Sequence, residues 1–203
     1  MKKSFKQLII DTATKYIFLS LVIDGVEKQY YYETGINNHS VTIMPYLQKI
    51  LENEGVNLQE IDEIIVGVGP GSYTGVRIGV TVAKMIAYLN NLSLYKISSL
   101  ALMASSSDKP YVLALIDARR GNGFMGLYSN KENNLEMVRE DCLSNIEYYK
   151  RTLDYDFEVI EEGKPNVVKL LKSELLSKID DVHSLTPNYL QVTEAERNLR
   201  NEN

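Results

Sequence analysis

Short apolar runs punctuated by turn residues open the chain. Leu8-Ile9-Ile10 stops at the polar stretch Asp11-Thr12-Ala13-Thr14, and a second run, Ile17 to Ile23, follows it. Runs of this length, bounded by turn formers, read as buried strands. Asp24-Gly25 is a hairpin signal, and Glu27 to Tyr32 then completes an antiparallel meander of three strands. From about Ser40 or Thr42 to Glu54 the apolar positions Ile43, Met44, Leu47, Ile50 and Leu51 recur at helical spacing, with Gly55 as the stop. Pro45 fits the first turn of this helix if Thr42 caps it and kinks it otherwise. Next come a strand over Ile61 to Val68, a glycine-rich run from Gly69 to Gly75, and a helix from Val76 to about Asn90. A short strand near Leu94 to Ile97 and a helix near Leu100 to Ser105 complete a predicted order of βββαβαβα.

The helix after the glycine run carries two apolar stripes. Val76, Val80, Ala83 and Ala87 form one, and Ile78, Val82, Met85 and Leu89 lie nearly opposite. The protein's own sheet uses one face. The other takes either a further layer of the same domain or a partner. The first helix has a single stripe, with Ile43, Leu47 and Ile50 at its centre.

An internal repeat organises the rest. An offset of 106 places Asp11 on Asp117, Phe18 on Phe124, Leu19 on Met125 and Leu21 on Leu127, so strand, aspartate-bearing turn and strand recur in order. Two similar lobes follow, 1–105 and a smaller 106–203. The second lobe is predicted to hold a charged loop over Lys131-Glu132-Asn133-Asn134 and a strand from Leu135 to Val138. Helices near Asn145 to Leu153 and Val167 to Ile179 follow, with a polar tail from Thr186.

Composition narrows the chemistry. The 203 residues are 44% hydrophobic and 24% charged, a globular balance, and the length suits one domain or two small lobes. Cys142 is the single cysteine, so no internal disulfide forms and a reducing, cytoplasmic setting is expected. His39 and His183 are the two histidines, which leaves an ordinary zinc site short of ligands. The basic start is not followed by an export-length apolar segment, and no run approaches the roughly 18 residues that span a bilayer. A formal charge of −5 gives no global field for nucleic acid.

The candidate sites are few. Gly69, Gly71 and Ser72 stand between a strand and a helix, where backbone N–H groups can hold an anion. Their spacing fits neither a Walker loop nor a dinucleotide fingerprint, because Val76 follows Gly75 and Thr74 stands where glycine or alanine is needed. The competing reading is a tight turn. Asp11 and Asp117 could hold Mg²⁺ waters or phosphate at a cleft, or cap their turns as Asx turns, and Arg119 could pair with a phosphate. Cys142 has no base nearby in sequence, and no nucleophile elbow is present.

Several motifs together resemble the bacterial TsaB (YeaZ) family. They are GPGSYTGVRIG at Gly69 to Gly79, Ile10-Asp11-Thr12-Ala13-Thr14, His39-Ser40 and Ser98-Ser99-Leu100. With them go Asp117-Ala118-Arg119-Arg120-Gly121, Pro187-Asn188-Tyr189-Leu190 and Glu194-Ala195-Glu196. The resemblance is collinear from residue 8 to about 199. It implies an α/β actin-like (ASKHA) fold of two ribonuclease-H-like lobes, the second abbreviated.

It also implies a role in threonylcarbamoyladenosine modification of the tRNA adenosine next to the anticodon. In that family the chemistry belongs to a homologous partner, TsaD, which carries a metal-binding HxxxH pair, and TsaE supplies an ATPase. TsaB is the non-catalytic heterodimer partner that docks through its first two helices, touches tRNA only through the complex, and needs no cofactor or metal of its own. On this reading the interface residues here are Ile43, Leu47, Ile50, Ile78, Val82, Met85 and Leu89, and the same faces support a homodimer when TsaD is absent. His39 is followed at the fourth position by Ile43, so the metal pair is missing. After the Asp117 turn the chain departs from the family pattern with Asn122 and Gly123. The alternative is a small actin-like ATPase or kinase using Asp11 and Asp117 around Mg-nucleotide.

Overall fold

A computed structural model describes residues 3–35, 39–131 and 134–190. The three predicted strands are β1 (Lys6–Asp11), β2 (Tyr16–Ile23) and β3 (Val26–Thr34), paired antiparallel in sequence order. Asp24 and Gly25 both take positive φ, 51° and 77°, the geometry a two-residue hairpin requires. Helix α1 (His39–Asn53) starts before Ser40, so Pro45 is its seventh residue and not part of its first turn. Pro45 has no N–H to offer the Val41 carbonyl one turn back.

β4 (Glu63–Gly67) runs parallel to β1, α2 (Tyr73–Asn90) crosses over, and β5 (Ser93–Ile97) adds beside β4. The short helix α3 (Ser99–Ala104) closes the predicted βββαβαβα order.

The second half repeats the plan in shortened form. β6 (Tyr111–Asp117), β7 (Asn122–Lys131) and β8 (Asn134–Asn145) form a meander, α4 (Ile146–Arg151) crosses, and β9 (Glu158–Ile160) pairs parallel with β6. The sheet order β8-β7-β6-β9 is the counterpart of β3-β2-β1-β4 in the first sheet. This is an α/β actin-like fold of two ribonuclease-H-like lobes.

Some boundaries differ from the sequence reading. The strand expected at Leu135 to Val138 extends to Asn145, whose side chain caps α4. The helix expected from Val167 to Ile179 stops at Lys172 as α5 (Val167–Lys172), and Ser177–Ile179 is instead a strand, β10. β10 pairs antiparallel with β5 and becomes the edge of the first sheet, and Leu185 joins that sheet's core. The chain thus returns to the first lobe after α5, and a boundary at 105/106 assigns its last described segment to the wrong lobe. Glu132 and Asn133 of the expected loop, and the Glu194-Ala195-Glu196 motif, lie outside the described residues.

The layers are α1 and α2, the first sheet, α3 with α5, the second sheet, and α4. One core fills the space between α1, α2 and the first sheet, built on Leu8, Ile10, Leu19, Ile43, Val80 and Ala83. A second is shared by the two sheets: Ile9, Phe18 and Ile65 meet Leu100, Leu102, Val112, Ala114, Phe124 and Tyr128. A third, around Leu113, Leu115, Met125 and Leu127, lies under α4. Among the described residues no helix is long and apolar enough to cross a membrane.

Candidate functional site

The glycine run is a packing device at the end of β1. Thr12 and Ala13 leave β1 directly against the start of α2, and Gly75 and Gly71 have no room for a side chain. A Cβ would meet the carbonyl oxygen of Thr12 at 2.2 Å at the first position and that of Ala13 at 2.3 Å at the second. The Thr12 hydroxyl donates to the Gly75 carbonyl (2.7 Å) and accepts from the Gly79 N–H (3.0 Å), locking the turn to the helix. Three of the loop's own N–H groups, those of Gly69, Ser72 and Gly75, are committed. Ser72 N–H donates to the Ala13 carbonyl (2.7 Å), Gly69 N–H to Ser99 Oγ (3.0 Å), and Gly75 N–H to Ser72 Oγ, the helix cap (3.2 Å). Gly69 and Ser72 therefore spend on the fold the donors that a phosphate would need. The tight-turn reading of the run is the one the geometry supports.

Asp11 is buried beneath this loop. Its Oδ1 accepts from Ser99 Oγ at 2.7 Å. Burial pushes its carboxyl up to about 6, against the opposing pull of the Ser99 hydroxyl and the backbone N–H groups of Ala13 and Thr12. The cavity beside it, bounded by Tyr16, Phe18, Tyr32 and Leu102, measures about 10 Å³, the room of one water.

Asp117 does not complete a pair with it. Asp11 stands opposite Phe18 in the β1/β2 ladder, on the side facing the second sheet. In the second meander Phe124 stands opposite Ile116, and Asp117 stands opposite Gly123. The hairpin is one residue shorter, and a one-residue slip exchanges the faces of a strand. Asp117 shares the side of Leu113 and Leu115 and is exposed, where its carboxylate accepts from the Arg119 N–H at 2.8 Å. That is an Asx turn. Arg119 (φ 67°), Arg120 (φ 56°) and Gly121 (φ 73°) follow in the left-handed region. Arg119 is thus a turn residue well separated in role from Asp11.

The predicted interface residues divide sharply. Ile43, Leu47 and Ile50 are buried in the core between α1 and the first sheet, so they hold the helix down and present nothing outward. Val82 is buried as well, at 8% exposure, as part of the same core. Ile78 is half-buried. Met85 (46%) and Leu89 (72%) are exposed.

Two exposed apolar residues of α1 complete the surface: Val41 (64%) and Met44 (38%). Val41 stands about 200° around the helix from Ile43, a spacing that marks the outer side, whereas Met44 falls within the inner stripe and lies at its exposed margin. A shallow cavity of about 380 Å³ lined by Ser40, Thr74, Arg77, Ile78, Thr81 and Val82 lies between α1 and α2. Beside it, Tyr73 at the start of α2 stacks on Tyr189, with ring centres 4.6 Å apart. Among the described residues no group of three His, Cys, Asp or Glu side chains converges as a metal site.

A family model described as TsaD, tRNA N6-adenosine threonylcarbamoyltransferase, matches residues 27–196. The tRNA threonylcarbamoyladenosine biosynthesis protein TsaB of Bacillus subtilis (strain 168) is 31% identical, across 93% of this chain and 95% of its own. TsaB of Escherichia coli (strain K12) is 36% identical across 63% of this chain and 57% of its own. Among solved structures, YeaZ from Pseudomonas aeruginosa superposes with a TM-score of 0.77 at 22% identity, covering 92% of this chain and all of that one. Collinear motifs, the two-lobed topology and a relative matched nearly end to end agree: the chain belongs to the TsaB (YeaZ) family of tRNA threonylcarbamoyladenosine biosynthesis proteins.

Proposed function

We propose that this chain is a non-catalytic partner of a TsaD, acting in modification of the tRNA adenosine next to the anticodon, with TsaE and tRNA engaged through the complex. The observation that carries the reading is the set of exposed apolar side chains on the two helices, Val41 and Met44 on α1 and Met85 and Leu89 on α2, together with the shallow cavity at Ile78 between them. Large apolar side chains left exposed on neighbouring helices mark an interaction surface. The interface proposed here is therefore narrower on α1 and α2 than the sequence stripe, and excludes Ile43, Leu47, Ile50 and Val82. The same surface would serve a homodimer when TsaD is absent.

The ATPase or kinase alternative draws less support. It needs two carboxylates across a shared cleft, and here Asp117 turns to the far face of its sheet while the space beside Asp11 admits one water. Reconstitution tests the proposal. With TsaD, TsaE, tRNA and a threonylcarbamoyl-adenylate donor, leaving out this chain should abolish or sharply reduce modification, and this chain alone should transfer nothing. Transfer by the isolated chain, or full modification in its absence, would overturn it.

A further inference from the structure

The connections leaving the carboxyl ends of β4 and β5 diverge. Residues 68–72 lead to α2 on one face of the first sheet, whereas Ser98 leads to α3 on the face turned toward the second sheet. In open α/β sheets, the crevice outside the carboxyl ends of neighbouring strands whose connections part is where ligands bind. A crevice of about 360 Å³ opens at this point, bounded by Val68, Ile97 and Ser98 and by Lys96, Ser177 and Thr186. That volume is in the range of small-molecule sites. Its outer wall is the segment Thr186-Pro187-Asn188, pinned by the Asn188 N–H on the Val68 carbonyl at 2.7 Å and by the buried Leu185.

The charge around the crevice is one-sided. None of its lining residues is acidic. Among the described residues no carboxylate lies within ion-pair distance of the Lys96 ammonium. Ser177 stands opposite Lys96 in the β5/β10 ladder, which brings a hydroxyl beside the cation. Ser98 is already committed: its hydroxyl donates to Asp141 and accepts from the N–H groups of Leu100 and Ala101, so it shapes the wall. Tyr128 donates to the other oxygen of the same carboxylate at 2.6 Å, so both Asp141 oxygens are occupied by hydroxyl donors behind the wall.

We propose that this crevice binds a small anionic metabolite, a phosphate ester or a carboxylate. Lys96 supplies the counter-charge, the hydroxyls of Ser177 and Thr186 supply hydrogen bonds, and the 186–188 segment forms the outer wall. None of the residues lining the crevice belongs to the exposed apolar set on α1 and α2, so its test requires no TsaD and its failure leaves the partner reading untouched.

The experiment is an amide-resolved NMR titration of the full chain with inorganic phosphate, with acetate, and with glycerol as a neutral control. The expected result is a saturable set of shifts at Val68, Lys96, Ser98, Ser177 and Asn188 with phosphate or acetate. The anion that produces it identifies the class. Lys96→Gln, at an exposed position, should weaken the response tenfold or more with the remaining spectrum unchanged, and Lys96→Arg should restore it. No shifts at these amides, shifts produced by glycerol, or shifts indifferent to Lys96→Gln would overturn the assignment.

Discussion

The two aspartate turns share a sequence pattern and differ in almost everything else. The first, Asp11 to Thr14, is buried under α2, and its carbonyl groups sit so close to Gly71 and Gly75 that no side chain fits between. The second, Asp117 to Gly121, stands in solvent, held by its own Asx contact and by the Asn145 side chain and Ile146 N–H on the Gly121 carbonyl. Six residues separate Asp11 from its ladder partner Phe18, and five separate Asp117 from Gly123. The spacing of aspartate and phenylalanine is the same in both copies, so it is a one-residue shift in strand pairing that sends the second carboxylate to the opposite face of its sheet. A repeat in sequence thus preserves an architecture without preserving a site. In this molecule the first turn organises the helix bearing the exposed apolar surface, and the second closes a hairpin.

Substitution of the glycines should show the contrast most strongly. Gly75→Ala forces a Cβ to within 2.2 Å of the Thr12 carbonyl oxygen, a backbone atom with nowhere to go. We expect a loss of more than about 3 kcal/mol in denaturant unfolding, at the upper end of overpacking effects. Gly121→Ala meets nothing closer than the Asn145 side-chain nitrogen at 3.5 Å and suffers only its left-handed φ, a cost of about 1 kcal/mol. Equal losses at the two positions would erase the distinction.

Titration separates the carboxylates next. The buried Asp11 carboxyl is raised from 3.8 to about 6, so between those values the native state binds more protons than the unfolded chain. Its contribution to stability is therefore fully present below about pH 4 and is lost as pH rises through 6. A shift of about two units corresponds to roughly 3 kcal/mol. Asp11→Asn should remove this loss from stability curves measured between pH 4 and 7, and Asp117→Asn should leave it in place. A smaller effect is expected in the strained turn. Arg120→Gly should raise stability by about 0.5–1 kcal/mol, because glycine occupies the left-handed region without a Cβ clash. No such gain is available in the first turn, where none of residues 12–15 has a positive φ.

The meander, the crossover helix and the shortened second lobe were legible because apolar period and turn chemistry agree over long stretches. β9 and β10 were not, since three residues carry no periodicity, and β10 is fixed by pairing with β5 from more than 70 residues away. The interface shows the same limit. A lone apolar stripe, such as Ile43, Leu47 and Ile50, marks the side a helix buries in its own protein. α2 has two stripes, and of the second only Met85 and Leu89 are exposed, while Ile78 is half-buried and Val82 buried. The face to which Asp117 turns depends on a one-residue shift in strand pairing, which no local pattern records.

The most direct test of the account compares exposed apolar residues on the two lobes: Leu89 on α2 and Tyr148 on α4, 72% and 67% exposed. Each is replaced by glutamate, and each variant is titrated against TsaD from the same organism. Neither change should alter the unfolding midpoint appreciably, since both side chains stand in solvent. Leu89→Glu should weaken the complex tenfold or more, and Tyr148→Glu should leave it unchanged. Undiminished binding by Leu89→Glu, or a loss confined to Tyr148→Glu, would contradict the account.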